Sequence, residues 1–212
     1  MHTGHDPRPH APLARLVWLL VFAATCALSG HNPKPGDSRL MCMAAASVLQ
    51  HGSLAIEPVR VDVTRGTDGR YYTKYPLLCV VQCLPALLLR NLSRIVAPQN
   101  DTLELLALAI VPHALTATLA VGVLYLALAL RAAALAAVWL ALLAVFTTPL
   151  LVEGRVLYSE TLQAVLAVFA ILCAVRARDS RHTAAFIWGG LLCGLALNAK
   201  SLLVILPLAL LV

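Results

Sequence analysis

Two ionisable residues stand out because each sits where a polar island meets apolar sequence. Asp37 lies in Gly36-Asp37-Ser38-Arg39, and Lys74 in Tyr71-Tyr72-Thr73-Lys74-Tyr75-Pro76. A carboxylate at a membrane boundary can accept the proton of a hydroxyl as that hydroxyl attacks, which is general-base chemistry. A lysine held at headgroup depth can offset the charge of a lipid phosphate. Both residues also have structural readings. Asp is a preferred helix cap, and a lysine beside an apolar run snorkels its ammonium toward headgroups. Tyr71, Tyr72 and Tyr75 suit either role, since tyrosines populate membrane interfaces. Two further charges end or begin apolar runs: Glu160, after Tyr158-Ser159, and Lys200, after Asn198-Ala199. The helix dipole alone accounts for an acid in a first turn. Charges at the membrane boundary are functional candidates by default, with snorkelling as the competitor.

The elements that must position these residues are membrane spans. Hydrophobic residues make up 60% of the 212-residue chain and charged residues 12%, with a mean hydropathy of +0.84. A soluble domain carries about a quarter charged residues, so the chain belongs in a bilayer. The net charge of +6 is scattered between apolar runs, and without a basic, aromatic-interleaved stripe it does not mark a nucleic-acid binder. Six cysteines, at 26, 42, 79, 83, 173 and 193, form no zinc-spaced cluster. Cys79 and Cys83 share a helix face at i, i+4, and a disulfide among Cys42, Cys79 and Cys83 is a secondary reading.

Taken in order, residues 1–12 read as a His- and Pro-rich tail and 13–29 as a first span. A cleaved signal peptide is the alternative there. A long segment, 30–102, follows. Within it the apolar positions Leu40, Met41, Ala44, Ala45, Val48 and Leu49 predict an amphipathic surface helix over 38–51, stopped by Gly52. A short strand is expected at 59–63 and a turn at Thr67-Asp68-Gly69. Residues 77–89 are apolar but too few to span, and read as a second interfacial or re-entrant helix. Further spans are expected at about 103–130, 132–151, 161–175 and 184–199, with 202–212 the start of a sixth. Arg8 and Arg15, Arg131, and the cluster Arg176, Arg178 and Arg181 then fall on one side, which the positive-inside rule makes cytoplasmic. The 30–102 segment, the 152–160 loop and the Asn198-Ala199-Lys200 turn fall on the other.

In this order the motifs resemble the polyprenyl-phosphate-sugar-dependent glycosyltransferases of the GT-C superfamily, in the protein O-mannosyltransferase and lipid A aminoarabinose-transferase branch. The matching stretches are Gly36-Asp37-Ser38-Arg39-Leu40 leading to Leu49-Gln50-His51-Gly52, Asp68-Gly69-Arg70-Tyr71-Tyr72-Thr73-Lys74-Tyr75-Pro76, Tyr158-Ser159-Glu160, and Asn198-Ala199-Lys200-Ser201 before Pro207. The resemblance implies an all-α, multi-span membrane bundle whose first outer loop carries two interfacial helices. It implies transfer of a sugar, with inversion, from a polyprenyl phosphate to an acceptor hydroxyl on a glycan, lipid or protein at the outer face of the inner or plasma membrane. Asp37 takes the role of catalytic base, with Glu160 the acidic residue opening the fourth span. Lys74, Tyr72, Arg70, Tyr75 and Lys200 are assigned to the donor, the lysines to its phosphate. Ser38 stands where many members have a second acid, and the family's greater number of spans leads to the expectation that the chain continues past Val212. No cofactor is expected; Asp37 and Glu160 offer only thin support for a divalent metal.

A transporter or flippase is the alternative, but transporters concentrate charges and broken helices near the midplane, whereas these charges lie at one rim. A catalytically silent membrane subunit is a third reading. The acceptor patterns Asn91-Leu92-Ser93 and Asn100-Asp101-Thr102 are too short to carry weight.

Overall fold

The computed structural model describes residues 10–28, 37–57, 63–96, 101–148, 159–180 and 183–199, with the side chains of 37–38, 101–107 and 179–180 left outside that description. The described chain is mostly helical. In order it forms α1 (Ala11–Leu28), α2 (Asp37–His51), β1 (Val63–Arg65), β2 (Tyr71–Thr73), α3 (Leu77–Val81), α4 (Cys83–Val96), α5 (Asp101–Ala129), α6 (Ala134–Phe146), α7 (Ser159–Ser180) and α8 (Thr183–Ala199).

Four helical runs are long and apolar enough to cross a membrane: Ala11–Leu28, Leu77–Val96, Leu108–Ala129 and Ser159–Arg178. Their exposed faces carry large apolar side chains, as on α1 at Leu16, Leu19 and Leu20, which suits lipid rather than water. The expected span 132–151 is described as α6, thirteen residues or about 20 Å, against a hydrocarbon core of about 30 Å. The expected span 184–199 is observed as α8, seventeen residues.

The helix expected at 77–89 is corrected in length. Helix continues to Val96 because Arg90, Asn91, Ser93 and Arg94 interrupt the apolar run without breaking the helix, while Leu88, Leu92 and Ile95 keep an exposed apolar stripe. The run is notched at Gln82, which keeps αR dihedrals. Pro85 has no N–H to offer the Val81 carbonyl, so the ladder breaks one turn ahead of it.

Helix α5 is the hub, packing against α1, α4, α6 and α7, while α8 packs on α7. Two apolar clusters share it. Ala117, Ala120, Leu124, Ala127 and Leu128 of α5 join Ala14, Val17 and Val21 of α1 and Ala137, Ala141 and Val145 of α6. Near the other end of α5, Leu108 and Val111 meet a separate layer in which Leu40, Met41, Ala44 and Ala45 of α2 pack on Cys79, Val80, Cys83, Ala86 and Leu87 of α3 and α4. Of the α2 stripe read from the sequence, Leu40, Met41, Ala44 and Ala45 form a buried face, whereas Val48 is only half-buried and Leu49 is exposed. Fully burying Met41 or Leu87 contributes about 1.5–3 kcal/mol each. Gly52 stops α2 in the left-handed region at φ +63, its N–H donating to the Val48 carbonyl at 3.0 Å.

One short hairpin interrupts the otherwise helical chain. Strands β1 and β2 pair antiparallel with Val63 opposite Thr73 and Arg65 opposite Tyr71. The turn falls at Thr67-Asp68-Gly69, with Gly69 at φ +80 and the Gly66 N–H donating to the Arg70 carbonyl at 2.7 Å. The strand expected at 59–63 begins only at Val63; residues 58–62 lie outside the described residues. The tight α5–α6 reversal is a Schellman cap: the Ala132 N–H reaches the Ala127 carbonyl and the Arg131 N–H the Leu128 carbonyl, both at 3.0 Å. Arg131 occupies the left-handed position at φ 67.

Candidate functional site

Lys74 and Tyr75 form a bend between β2 and α3. The Tyr75 N–H donates to Thr73 Oγ1 at 3.3 Å, and Pro76, with ψ 153, turns the chain into α3. Proline fits there because its missing N–H would be unsatisfied at a helix start anyway. Tyr75 is half-buried against the α2–α4 layer, and the exposed Lys74 ammonium lies 5.5 Å from its ring centre.

Across from this bend stands the end of α8. Asn198 Oδ1 accepts the Leu78 N–H at 3.2 Å, an orphan donor of the α3 first turn. Cys79 Sγ donates to the Ala199 carbonyl at 3.6 Å. The Asn198-Ala199 motif is thereby joined to the segment following Lys74. Lys200 itself lies outside the described residues.

Glu160 opens α7, where Ser159 Oγ donates to its Oε2 at 3.1 Å. Its level follows from helix geometry. Gly122 of α5 abuts Val168 and Phe169, and Arg176 sits 5.7 Å from the Tyr125 ring, so α5 and α7 run parallel. Gly189 of α8 faces Ala170 and Cys173, and the two-residue link makes α7 and α8 antiparallel. Counting along these registers places Ala199, the start of α7 and His113 of α5 at about the same height. The turn of Asn198, the bend of Lys74 and the start of α7 thus share one end of the bundle.

That level holds polar residues which the sequence reading passed over. His113, Thr116, Thr161 and Gln163 are all buried. Thr116 Oγ1 donates to the Pro112 carbonyl at 2.9 Å, while Thr161 Oγ1 and Gln163 Nε2 have no protein hydrogen-bond partner. The available signal was their spacing, polar residues three or two apart inside otherwise apolar helices.

The remaining candidates are placed differently. Asp37 is the first residue of α2, so the helix dipole favours its charge; its carboxylate lies outside the described residues. Arg70 lines a groove of about 400 Å³ with Gln50, His51, Ile56, Glu57 and Tyr71, at the far end of α2. Asp37 and Gln50 are thirteen residues apart, about 20 Å along the helix. Tyr72 is committed to the hairpin: its hydroxyl donates to Asp68 Oδ2 at 2.6 Å, while Asp68 Oδ1 accepts the Arg70 N–H at 3.0 Å. These bonds, Tyr72 first, hold the Asp68 carboxyl below its ordinary value and push the Tyr72 phenol up. Arg70 Nε is 3.9 Å from Asp68 Oδ2 in an exposed pair that contributes little. Gly66 admits this arrangement, since a Cβ there would lie 2.7 Å from the Tyr72 ring.

Among the described residues no group of three His, Cys, Asp or Glu side chains assembles, and pairing Asp37 with Glu160 around a metal rests on sequence alone. No family model, curated protein or solved structure matches the chain.

Proposed function

We propose that the chain transfers a sugar from a polyprenyl phosphate to an acceptor hydroxyl at the membrane surface. The observation that carries the reading is the Asn198 to Leu78 hydrogen bond, which joins two lysine-bearing motifs 120 residues apart. In this reading Lys74 and Lys200 offset the charge gathering on the departing lipid phosphate. Asp37 takes the acceptor's proton as its oxygen attacks the anomeric carbon from the face opposite the phosphate. Glu160, at the same end of the bundle, orients the acceptor. Tyr75 and its ring-stacked Lys74 bound the donor headgroup, and Arg70 and Tyr72 act through the hairpin that carries Lys74.

Charge distribution supports the orientation. Arg131 follows α5, and Arg176 and Arg178 close the parallel α7, so these cations lie at the end opposite Lys74 and Asn198. The positive-inside rule assigns their end to the cytoplasm and the site to the outer face.

The test is sugar transfer from a defined polyprenyl-phosphate sugar in proteoliposomes. Lys74→Ala is expected to lower turnover about 10²–10³-fold, the scale of losing one preorganised charge stabiliser. Asp37→Asn is expected to abolish transfer with membrane insertion intact. Full activity in Asp37→Asn sinks the base assignment, and absence of transfer by the unaltered chain sinks the reaction.

A further inference from the structure

We propose that the groove between the end of α2 and the β-hairpin binds the headgroup of an aminophospholipid of the bilayer, its phosphate on Arg70 and its primary ammonium on Glu57. Three walls build the groove. On α2, Met43, Ala46, Ser47 and Gln50 line it, and their i, i+3, i+4, i+7 spacing puts them on one helix face. Gly52, at φ +63, ends the helix and lets the chain fold back along that face. Ser47 Oγ donates to the Ala55 carbonyl at 2.5 Å, and Ser53 Oγ accepts the Ala55 N–H at 3.1 Å, which fixes the returning segment as the second wall. The Ile56 N–H then donates to the Tyr71 carbonyl at 2.8 Å, and this antiparallel bridge attaches the hairpin as the third.

The bridge also places the charges. In antiparallel register the residue after Ile56 lies opposite the residue before Tyr71, so Glu57 stands opposite Arg70. Both line the groove and both are exposed. Among the described residues no ion pair joins them; Arg70 instead has its Nε 3.9 Å from Asp68 Oδ2. A carboxylate and a guanidinium therefore border one cleft without closing on each other. With Asp68 beside Arg70 the cleft has no surplus of positive charge, which disfavours a purely anionic headgroup. A zwitterion meets both signs. The guanidinium offers paired N–H donors to phosphate oxygens, and the Glu57 carboxylate accepts N–H bonds from a primary ammonium. A quaternary ammonium has no N–H to donate and loses that half of the recognition.

The apolar surface points to a lipid rather than a soluble amine phosphate. Met43, Ala46, Ala55 and Ile56 supply the apolar part of a lining that encloses about 400 Å³, a volume ordinary for small-ligand clefts. Beside it Leu49 is 41% exposed and Leu54 37%, next in sequence to the lining residues Gln50 and Ala55. An acyl chain covers such surface, whereas a free headgroup leaves it wet. The groove lies about 20 Å along α2 from Asp37, so this contact is separate from the proposed transfer chemistry.

The test is native mass spectrometry of the full chain released from detergent, with phosphatidylethanolamine, phosphatidylcholine and phosphatidylglycerol of identical acyl chains added singly. The expected result is one phosphatidylethanolamine bound about tenfold more tightly than phosphatidylcholine, the scale of a hydrogen bond to a charged group. Glu57→Gln is expected to erase that preference, and Arg70→Gln to weaken both zwitterionic lipids, in proteins whose circular dichroism is native. Equal binding of phosphatidylethanolamine and phosphatidylcholine, tighter binding of phosphatidylglycerol, or a preference that survives Glu57→Gln overturns the proposal. Glycerophosphoethanolamine, which keeps the headgroup without acyl chains, is expected not to displace the lipid; displacement at equal concentration assigns the groove to a soluble ligand and overturns the lipid. A dimer that Arg70→Gln dissociates gives the groove to a second copy of the chain and overturns it as well. None of these readouts depends on sugar transfer.

Discussion

Replacing Gly122 by alanine probes the contact that sets the register of α5 against α7, and with it the level of Glu160. A Cβ at this position would lie 2.9 Å from Val168 Cγ1 and 3.0 Å from Phe169 Cε2. Ordinary contact begins at 3.4 Å, so the neighbours must give by about 0.5 Å, roughly the 3.4 less the 2.9 of a relaxed contact. Val168 cannot rotate away cheaply, because a β-branched side chain on a helix is confined to one χ1 well. The helices must separate or Phe169 must tilt, a strain of about 1–3 kcal/mol. Against this, alanine returns about 1 kcal/mol of helix propensity. The clash wins, leaving a net loss of up to about 2 kcal/mol. Gly194 of α8 is the internal control, since a Cβ there meets nothing within 4 Å. Gly194→Ala should gain up to about 1 kcal/mol by the same propensity term. Equilibrium unfolding in mixed micelles, followed by fluorescence of the three tryptophans, compares the two. If Gly122→Ala proves as stable as Gly194→Ala, the close approach and the register drawn from it are wrong.

Two other perturbations address the hairpin and the α5–α6 turn. Asp68 is held below its ordinary 3.8, so its contribution to the hairpin is present above that value and lost as pH falls through the depressed folded value. Tyr72 is raised above 10.0, so its contribution is present below 10.0 and lost as pH rises through the raised value. Ultraviolet titration should show a late-ionising phenol that Tyr72→Phe removes and Asp68→Asn returns to the ordinary range; an unchanged titration in Asp68→Asn refutes the pairing. Arg131→Gly relieves a left-handed residue in the Schellman cap and should stabilise the chain by about 1 kcal/mol. A lower unfolding midpoint would show that the arginine contributes more through its charge than its backbone costs.

The amphipathic stripe of α2 was legible because the buried positions Leu40, Met41, Ala44 and Ala45 recur with the 3.6-residue period of a helix. The hairpin was half legible. Thr67-Asp68-Gly69 announces a turn through side-chain acceptor and glycine, yet the strand start depends on pairing with Tyr71–Thr73, which is set across the turn rather than within the strand. The length of α4 was misjudged because hydropathy ends at Leu89 while helix does not: Arg90 and Arg94 are good helix formers, and no glycine or proline intervenes before Pro98. The convergence of Lys74 with Asn198 was expected only from counting spans. Its actual agent, an asparagine side chain accepting a helix-terminal N–H, has no local signature, since the two partners are separated by most of the bundle. The same holds for His113, Thr116, Thr161 and Gln163, whose common level depends on how α5 and α7 are staggered.

The notch at Gln82 bears on whether Leu77–Val96 crosses the bilayer or lies on it. Length permits a crossing. Packing argues for the surface: the partners of α3 and α4 are α2, the end of α8, and Leu108 and Val111 near the start of α5, while the α1–α6 cluster uses only Ala117 onward. A span would share neighbours with the other spans at every depth, yet among the described residues none of α1 or α6 enters the α2–α4 cluster. The polar atoms agree. Arg90 and Gln82 would be costly at the bilayer centre. In the proposed reading the first part of α5 rises past the membrane with α4 beside it, His113 marks the boundary, and the layer bearing Asp37 and Lys74 lies on the surface, where a lipid-borne phosphate and a water-borne hydroxyl meet.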